Sequence, residues 1–256
     1  MKNKQIFSSI TIYAAFLLGL VLFDLGCKSH IDQQKLFNKQ NTNSNIEQDS
    51  ALLILPDQVD SLIYLAQRYP SITKIDLMVE DCDSILSNKI DSAIRYWPLL
   101  ESLSFSAYDS SYIPVSFFSL SNLKALSINF VINDKYEKKY NSTSQGNETD
   151  LVRLNKRYIK NAHVLNYLSQ LAQLKKLELE LGLNEIPSQI FDLNIEELRL
   201  DFNCISNIDT LLYKMRFLKK ITLVNNPIYL SKKQLRQIQE KLPRTKIYLQ
   251  PPSVNK

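Results

Sequence analysis

The sequence predicts an α/β solenoid, in which one short unit of strand and turn repeats along the chain. Apolar triplets with the spacing LxxLxL recur between residues 72 and 223, and successive copies begin 21 to 28 residues apart, apart from one interval of 51. A repeat at a fixed period of this size is the signature of a stacked array. The composition, with 45% apolar and 22% charged residues among 256, is that of a folded protein.

The last two copies of the repeat are complete. Residues 195–205 and 218–228 both fit LxxLxLxxNxL, with Ile accepted for Leu, and Asn203 and Asn226 occupy the asparagine position. This pattern resembles the leucine-rich-repeat family. The resemblance implies a horseshoe with a curved parallel sheet on its concave side and short helices or 3-10 turns on its convex side. Upstream copies keep the triplet but replace the asparagine, with Glu80, Tyr108, Val131 and Gly182, so the sequence restricts an asparagine ladder to Asn203 and Asn226.

Side-chain direction within each copy follows from strand geometry. Successive residues of a strand point to opposite faces, so Leu198 and Leu200 face the core while Arg199 faces outward. Between strands, residues 112–120 and 185–193 share the pattern x-Ile-Pro-x-x-φ-φ-x-Leu, where φ is Ile or Phe. The family resemblance places this pattern on the convex side, and proline suits the first turn of a helix, where no N–H is required.

Helical caps are predicted at both ends of the array. Residues 56–68 carry apolar side chains at helical spacing, namely Val59, Leu62, Ile63 and Ala66. After the last copy, Ser231 can cap a helix that Pro243 stops, and its apolar positions are Leu235, Ile238 and Leu242. Residues 246–250 then suggest a final strand. Polar end units of this kind keep a solenoid soluble.

A polar stretch at residues 133–150 interrupts the array, and residues 151–171 then show a helical pattern. The apolar positions of that pattern are Leu154, Ile159, Val164, Leu165, Leu168 and Leu171. We interpret the region as an insertion near 131–160 followed by the helical back of one enlarged repeat. The alternative is a degenerate extra repeat hidden within 131–170.

The N-terminal residues have the character of a targeting segment. Lys2 and Lys4 precede the apolar stretch 10–23, and Cys27 directly follows Gly26. This resembles a bacterial lipoprotein signal, which implies a signal peptide over 1–26 and a lipid on Cys27, although Asp24 departs from the usual apolar residue. An ordinary cleaved signal or an uncleaved anchor is the alternative. Residues 27–50 are polar and suggest a flexible tether, and 51–256 form the predicted repeat domain.

Motifs that support common enzymatic chemistry are missing from the sequence. Its four glycines form neither GxGxxG nor GxxxxGK[ST], its two histidines form no HExxH, and its three cysteines form no CxxC. We therefore expect no catalytic residue, metal or cofactor. The net charge of +5 comes from 31 basic and 26 acidic residues that are interspersed, and it does not indicate nucleic-acid binding.

The candidate binding residues are the outward positions of the later strands, because the concave sheet is the usual binding surface of the family. Neighbouring strands are expected to place Lys176, Glu197 and Lys220 in one row and Glu178 and Arg199 in the next. One interpretation is a solvated ladder of charges, and the other is a recognition patch with Phe202 as an aromatic anchor at its edge. The complete candidate set is Lys176, Glu178, Glu180, Glu197, Arg199, Asp201, Phe202, Lys220 and Thr222.

The predicted function is that of a non-enzymatic binding module, held at a bacterial cell envelope by its N-terminal lipid or signal anchor and recognising a protein or glycan partner. A secreted or periplasmic location is the alternative. One alternative function is that of a structural spacer in an envelope complex. Another is a metal-dependent or hydrolytic activity at Glu178, Glu180 and Asp201, because strands about 4.8 Å apart can bring two carboxylates to a workable distance.

Overall fold

Eight parallel strands form one open sheet, in which spatial order follows chain order. The structure is a computed structural model that describes residues 51–108, 111–131, 159–228 and 230–249. Each strand pairs with the next in parallel, so every connection returns along the sheet and the chain advances as a solenoid. The predicted parallel sheet is confirmed. Its strands are β1 (Ala51–Ile54), β2 (Lys74–Met78), β3 (Ser102–Tyr108), β4 (Ala125–Val131), β5 (Lys176–Glu180), β6 (Glu197–Arg199), β7 (Lys220–Leu223) and β8 (Lys246–Leu249).

The register aligns the apolar triplets of successive copies. Leu126, Leu177 and Leu198 lie side by side on β4, β5 and β6, and all three are buried. The residue that follows each of these leucines points to the other face of the sheet, where side chains are half-buried or exposed. The sheet therefore has one apolar face toward the core and one polar face, as the alternation in the sequence predicts.

Helical segments cover the apolar face of the sheet. Buried side chains of the strands and of these segments belong to one continuous core from Ile54 to Leu242. Three α-helices occur within the described residues: α1 (Leu62–Arg68), α2 (Ser84–Ile94) and α3 (Lys232–Lys241). The remaining connections contain 3-10 helices at Pro56–Ser61, Val115–Ser119, Ala162–Gln170, Ser188–Asp192 and Thr210–Lys214.

Bulky aromatic side chains fill the core of the first coils. Trp97 is fully buried between α2 and β3, and its indole N–H donates to the Tyr69 carbonyl at the end of α1, at 3.0 Å. Phe105 of β3 packs edge-to-face on Phe117, with ring centroids 5.3 Å apart. Cys82 is buried nearby, and burial, with a smaller effect of Asp83 and Asp91, raises the pKa of its thiol to about 12.

Buried polar side chains join successive coils through hydrogen bonds to the backbone, and four of them, Ser111, Asn161, Asn203 and Asn226, form the ladder. Ser111 Oγ accepts from the Cys82 N–H at 3.1 Å, and Asn161 binds both backbone groups of Ile113, at 2.9 and 2.8 Å. Asn203 and Asn226 do the same for the coils of β5 and β6. The ladder is thus longer than the two asparagines that the sequence indicated, because Ser111 and Asn161 serve as rungs in the earlier coils.

Asn203 makes the largest number of these bonds. Its Oδ1 accepts from the N–H groups of Leu181 and Leu183, at 3.1 and 2.9 Å. Its Nδ2 donates to the carbonyls of Leu179 and Leu200, at 2.7 and 3.0 Å, and to that of Asp201 at 3.1 Å. Asn226 accepts from the Ile205 N–H at 3.1 Å and donates to the Leu200 carbonyl at 2.7 Å. The side-chain amides thereby satisfy backbone N–H and carbonyl groups that lie at or just beyond the ends of the strands.

The region between β4 and β5 differs from its predicted form. β4 pairs directly with β5, so no additional strand enters the sheet between them. The helical part is a 3-10 helix that begins at Ala162, and Ile159, predicted to be helical, instead forms a parallel bridge with Ser111. The bridge places Asn161 where its side chain can bond the backbone of Ile113. A helix that included Ile159 could not form this bridge. The polar stretch 133–150 and residues 151–158 lie outside the described residues.

The N-terminal end of the array contains elements that the sequence did not predict in this form. β1 precedes the predicted first strand, and residues 56–68 divide into a 3-10 helix and the short α1, in which Ile63 is exposed. At the other end, the Ser231 hydroxyl accepts from the Gln234 N–H and caps α3, which stops before Pro243. None of the helices in the described part of the chain is long and apolar enough to cross a membrane. The signal-like segment, Cys27 and the tether lie outside that part.

Candidate binding face

The polar face of the sheet from β2 to β7 is the candidate binding surface, and we call it the open face. Its serine-rich part lies on β3 and β4, and its charged part lies on β5 to β7. The register aligns these strands, so each row of outward side chains continues from one part into the other. Lys176, Glu197 and Lys220 occupy one row, as the sequence predicts, and Glu178, Arg199 and Thr222 occupy the next.

A shallow groove of about 290 Å³ runs along this face. It extends from β3 to β7 and therefore joins the hydroxyl groups of the earlier strands to the charged groups of the later ones. A ligand in it would meet small hydrogen-bonding groups at one end and ionic groups at the other. The polar residues that line it are Ser102, Ser104, Ser127, Lys176, Glu178, Glu197, Arg199, Lys220 and Thr222.

Ion pairs hold the charged part of the groove in a fixed pattern. Arg199 Nη1 lies 3.2 Å from Glu178 Oε1, and its Nε donates to Asp201 Oδ2 at 2.8 Å. Burial acts to lower the pKa of the Arg199 guanidinium, but its hydrogen bond to Asp201 and the charges of Glu178, Asp201 and Glu180 outweigh this effect, so the pKa is raised. In the neighbouring row, Lys176 Nζ lies 3.2 Å from Glu197 Oε1.

Asp201 differs from the outward position predicted for it. The residue is buried, because its Oδ1 accepts from the Val224 N–H of the next coil at 2.7 Å while its other oxygen binds Arg199. Both carboxylate oxygens are therefore engaged. Asp201 positions Arg199 in the groove instead of offering a carboxylate to a ligand.

Two aromatic residues border the charged part. Phe202 is 37% exposed and has a φ of 55°, and the equivalent position of the next coil is Asn225, with a φ of 59°. Asparagine tolerates the left-handed region, whereas a bulky side chain there is strained. Phe202 thus adopts the same left-handed conformation as Asn225, and its ring is exposed at the turn. Tyr248 of β8, which the sequence analysis did not select, lies with its ring centroid 5.5 Å from Lys220 Nζ.

Two polar atoms of the open face are buried without a hydrogen-bond partner among the described residues, namely Thr222 Oγ1 and Asn129 Oδ1. Asn129 uses its Nδ2 to donate to Ser127 Oγ at 3.0 Å, so its carbonyl oxygen alone lacks a bond. Unsatisfied polar atoms are rare in folded proteins, since leaving one buried costs free energy. Thr222 Oγ1 and Asn129 Oδ1 are therefore two points at which the hydrogen bonding of the face is incomplete.

The carboxylates do not form a metal site within the described residues, where no group of three or more His, Cys, Asp and Glu side chains is placed to bind an ion. Arg199 lies between Glu178 and Asp201 and pairs with both. These two carboxylates are therefore arranged around a cation, and not across a cleft as a hydrolytic pair requires.

The candidate set was restricted to β5–β7 and left out the serine-rich half of the groove. The alternation Ser102, Ser104, Ser106 indicates from the sequence that three hydroxyl groups lie on the outward face of β3. Small residues there leave room above the sheet, and this is why the groove extends over β3 and β4.

The strand order and the groove define a class, that of open parallel solenoids with a polar sheet face. The chain matches no family model and no curated protein sequence. Among solved structures it is similar to a leucine-rich-repeat protein of Leptospira interrogans, with 15% identity, a TM-score of 0.30, and coverage of 77% of this chain and 69% of that one. It is also similar to an internalin of Listeria monocytogenes, with 17% identity, a TM-score of 0.30, and coverage of 75% and 66%. The chain thus spans about two thirds of the length of each.

Proposed function

We propose that this protein is a non-enzymatic binding module that recognises a protein or glycan partner through the open face. The observation that carries the proposal is the groove, in which serine hydroxyls and ion-paired charges line one continuous surface. Arg199 is held by both Glu178 and the buried Asp201 before a partner arrives, which lowers the entropy cost of ordering it on binding. The exposed Phe202, held in a strained turn, supplies an aromatic contact at the edge.

A charge swap within one row tests this proposal. Lys176→Glu combined with Glu197→Lys keeps the net charge and inverts the ion pair between β5 and β6, whose residues 176 and 197 are in register. We expect binding to at least one member of an array of peptides and bacterial glycans to fall at least about tenfold, because a buried charge contact costs roughly 2 kcal/mol or more when it is lost. Far-ultraviolet circular dichroism should not change, since exposed ion pairs contribute about 0–1 kcal/mol.

The matched control is the same kind of swap outside the groove. Glu101→Lys with Lys124→Glu inverts an exposed ion pair of 2.6 Å just before β3 and β4, also without a change in net charge. The control should bind the array as the wild type does. If the two swaps have equal effects, or if no member of the array binds wild-type protein, the open face is not the recognition surface.

We further propose that the module is anchored at a bacterial cell envelope through a lipid on Cys27. The support comes from the sequence, where Gly26 and Cys27 directly follow an apolar stretch that basic residues precede. Intact mass and membrane fractionation of wild-type protein beside Cys27→Ala test it. We expect a diacyl or triacyl mass that disappears in the variant, together with loss of membrane association. An unmodified Cys27 in the wild type would contradict the proposal.

A further inference from the structure

The charges of this chain are segregated along the solenoid. Residues 211–249 contain ten basic side chains and one acidic side chain, Glu240, whereas the rest of the chain has 21 basic and 25 acidic residues. The interspersion expected from the whole sequence therefore does not hold for the last two coils. We call these ten residues the basic end: Lys214, Arg216, Lys219, Lys220, Lys232, Lys233, Arg236, Lys241, Arg244 and Lys246.

All ten side chains of the basic end are exposed. Within the described part of the chain, Lys219 is the one member that forms an ion pair, with Glu196, and Lys220 lies over the Tyr248 ring. The Lys246 N–H donates to the Lys219 carbonyl at 2.8 Å, and Thr245 Oγ1 donates to the Leu218 carbonyl at 2.6 Å. These bonds hold the loops before β7 and β8 side by side, so Arg216, Lys219, Arg244 and Lys246 share one edge of the sheet.

Four more of these charges lie on α3, namely Lys232, Lys233, Arg236 and Lys241, and Lys241 in the last turn is the one whose position favours the helix. Lys232 and Lys233 occupy its first turn, which contains no acidic residue. Backbone N–H groups make the first turn of a helix electropositive, so lysines there destabilise it. Ile238 is the residue of α3 that is buried, which leaves the other side chains toward solvent. Helix stability therefore does not account for this concentration of positive charge.

Exposed apolar side chains occur among these cations. Phe217 is 60% exposed beside Arg216, and Tyr248 and Leu235 are also accessible. Cations attract a surface of anionic lipid headgroups, and aromatic and leucine side chains enter the interfacial layer beneath them. A nucleic-acid strand or an acidic protein would also be attracted by the charge. The broad, outward-facing distribution over a helix and a sheet edge, interspersed with apolar groups, fits a planar bilayer surface better.

We infer that the basic end is a docking surface for an anionic lipid bilayer. Contact there would orient the solenoid with its last coils against the membrane. The surface is separate from the groove, with Lys220 as the one residue common to both, so the inference stands whether or not the open face binds a partner.

Partition of the full chain between buffer and lipid vesicles tests the inference. The vesicles are phosphatidylcholine alone and phosphatidylcholine with phosphatidylglycerol, and the key variant is Lys232→Glu with Lys233→Glu. We expect the wild type to prefer the anionic vesicles, and the variant to lose that preference at least about tenfold, because each basic residue near an anionic surface adds to binding. The preference should disappear in about 1 M NaCl, which screens charges beyond a few ångströms.

A melting experiment distinguishes loss of vesicle binding from misfolding of the variant. Glutamates in the first turn of α3 should raise the stability of the helix. The variant must therefore melt no lower than the wild type. The control is Arg68→Glu with Arg95→Glu, an equal charge change at exposed sites on α1 and just after α2, and it should partition as the wild type does. The wild type and both double variants share residues 1–50, so any contribution of this segment to vesicle partition is the same in all three.

Three outcomes would overturn the inference. One is equal partition of the wild type into both kinds of vesicle, and another is an equal loss in the control. The third uses a fluorescent DNA duplex and an acidic peptide as competing probes. If Lys232→Glu with Lys233→Glu abolishes binding to either probe while vesicle partition is unchanged, the basic end serves that other class of partner.

Discussion

Replacing Asn203 by alanine should lower the free energy of unfolding by about 4 kcal/mol, because the change leaves several buried backbone groups without partners. Asn203 is fully buried, and its amide bonds the N–H groups of Leu181 and Leu183 and the carbonyls of Leu179 and Leu200. The Leu200 carbonyl keeps its bond from Asn226 Nδ2, so the loss falls on the two N–H groups and the Leu179 carbonyl. Urea denaturation followed by circular dichroism measures the loss.

The same substitution at Asn207 is the control for this prediction. Asn207 is exposed, and its Nδ2 makes one long bond of 3.4 Å to Ser206 Oγ, so Asn207→Ala should change the free energy of unfolding by less than about 0.5 kcal/mol. If Asn203→Ala costs less than about 1 kcal/mol, the rung does not stabilise the array and the description of the ladder is wrong.

Replacing Trp97 by alanine should cost about 3–5 kcal/mol, because the change empties the largest side-chain volume in the core and removes a bond between coils. Trp97 is fully buried, and its indole N–H donates to the Tyr69 carbonyl of the preceding coil at 3.0 Å. It is the one tryptophan of the sequence, so its fluorescence reports unfolding of the wild type. Trp97→Ala lacks this fluorophore, so circular dichroism is used to follow the unfolding of the variant.

Two comparisons make the Trp97 result interpretable. Trp97→Phe retains most of the apolar volume but not the hydrogen bond, so it should cost less than Trp97→Ala. Tyr96→Ala removes the neighbouring, exposed ring and should cost less than about 1 kcal/mol. Equal losses for Tyr96→Ala and Trp97→Ala would show that the local backbone, and not the buried indole, is responsible.

The strand positions could be predicted from the sequence because the LxxLxL triplet directly encodes a strand with one buried face. Ile75 and Leu77 lie within β2, for example, and Ile221 and Leu223 within β7, all of them buried. β1 escaped prediction because its four residues, Ala51–Ile54, are all apolar and show no alternation. α2 escaped because connections between strands vary in length and follow no repeat pattern of their own.

Half of the ladder could not be found at a fixed spacing. Ser111 lies three residues after Tyr108, and Asn161 lies 30 residues after Val131, although Tyr108 and Val131 occupy the asparagine position of the pattern. The connecting chain differs in length there, so the rung residue arrives from a different place in the sequence. What the coils require is a buried polar group at one point in space, and a serine satisfies this as an asparagine does.

The candidate site was predictable in its rows but not in its bonds. Alternation and a parallel register suffice to place Lys176, Glu197 and Lys220 in one row, and the structure shows this row. The burial of Asp201 could not be foreseen, because it depends on the Val224 N–H of the next coil, which is 23 residues away. The groove over β3 and β4 depends on the absence of large side chains, which a search for charged residues overlooks.

Each rung of the ladder bonds backward, to the coil that precedes it in the chain. Ser111 serves the coil of Cys82, Asn161 that of Ile113, and Asn203 that of Leu181. During synthesis a chain emerges from its N-terminus. A coil that has just left the ribosome therefore still has open backbone groups until the following coil supplies its rung. We expect assembly to proceed in one direction, with the finished part of the solenoid always one coil behind the emerging chain.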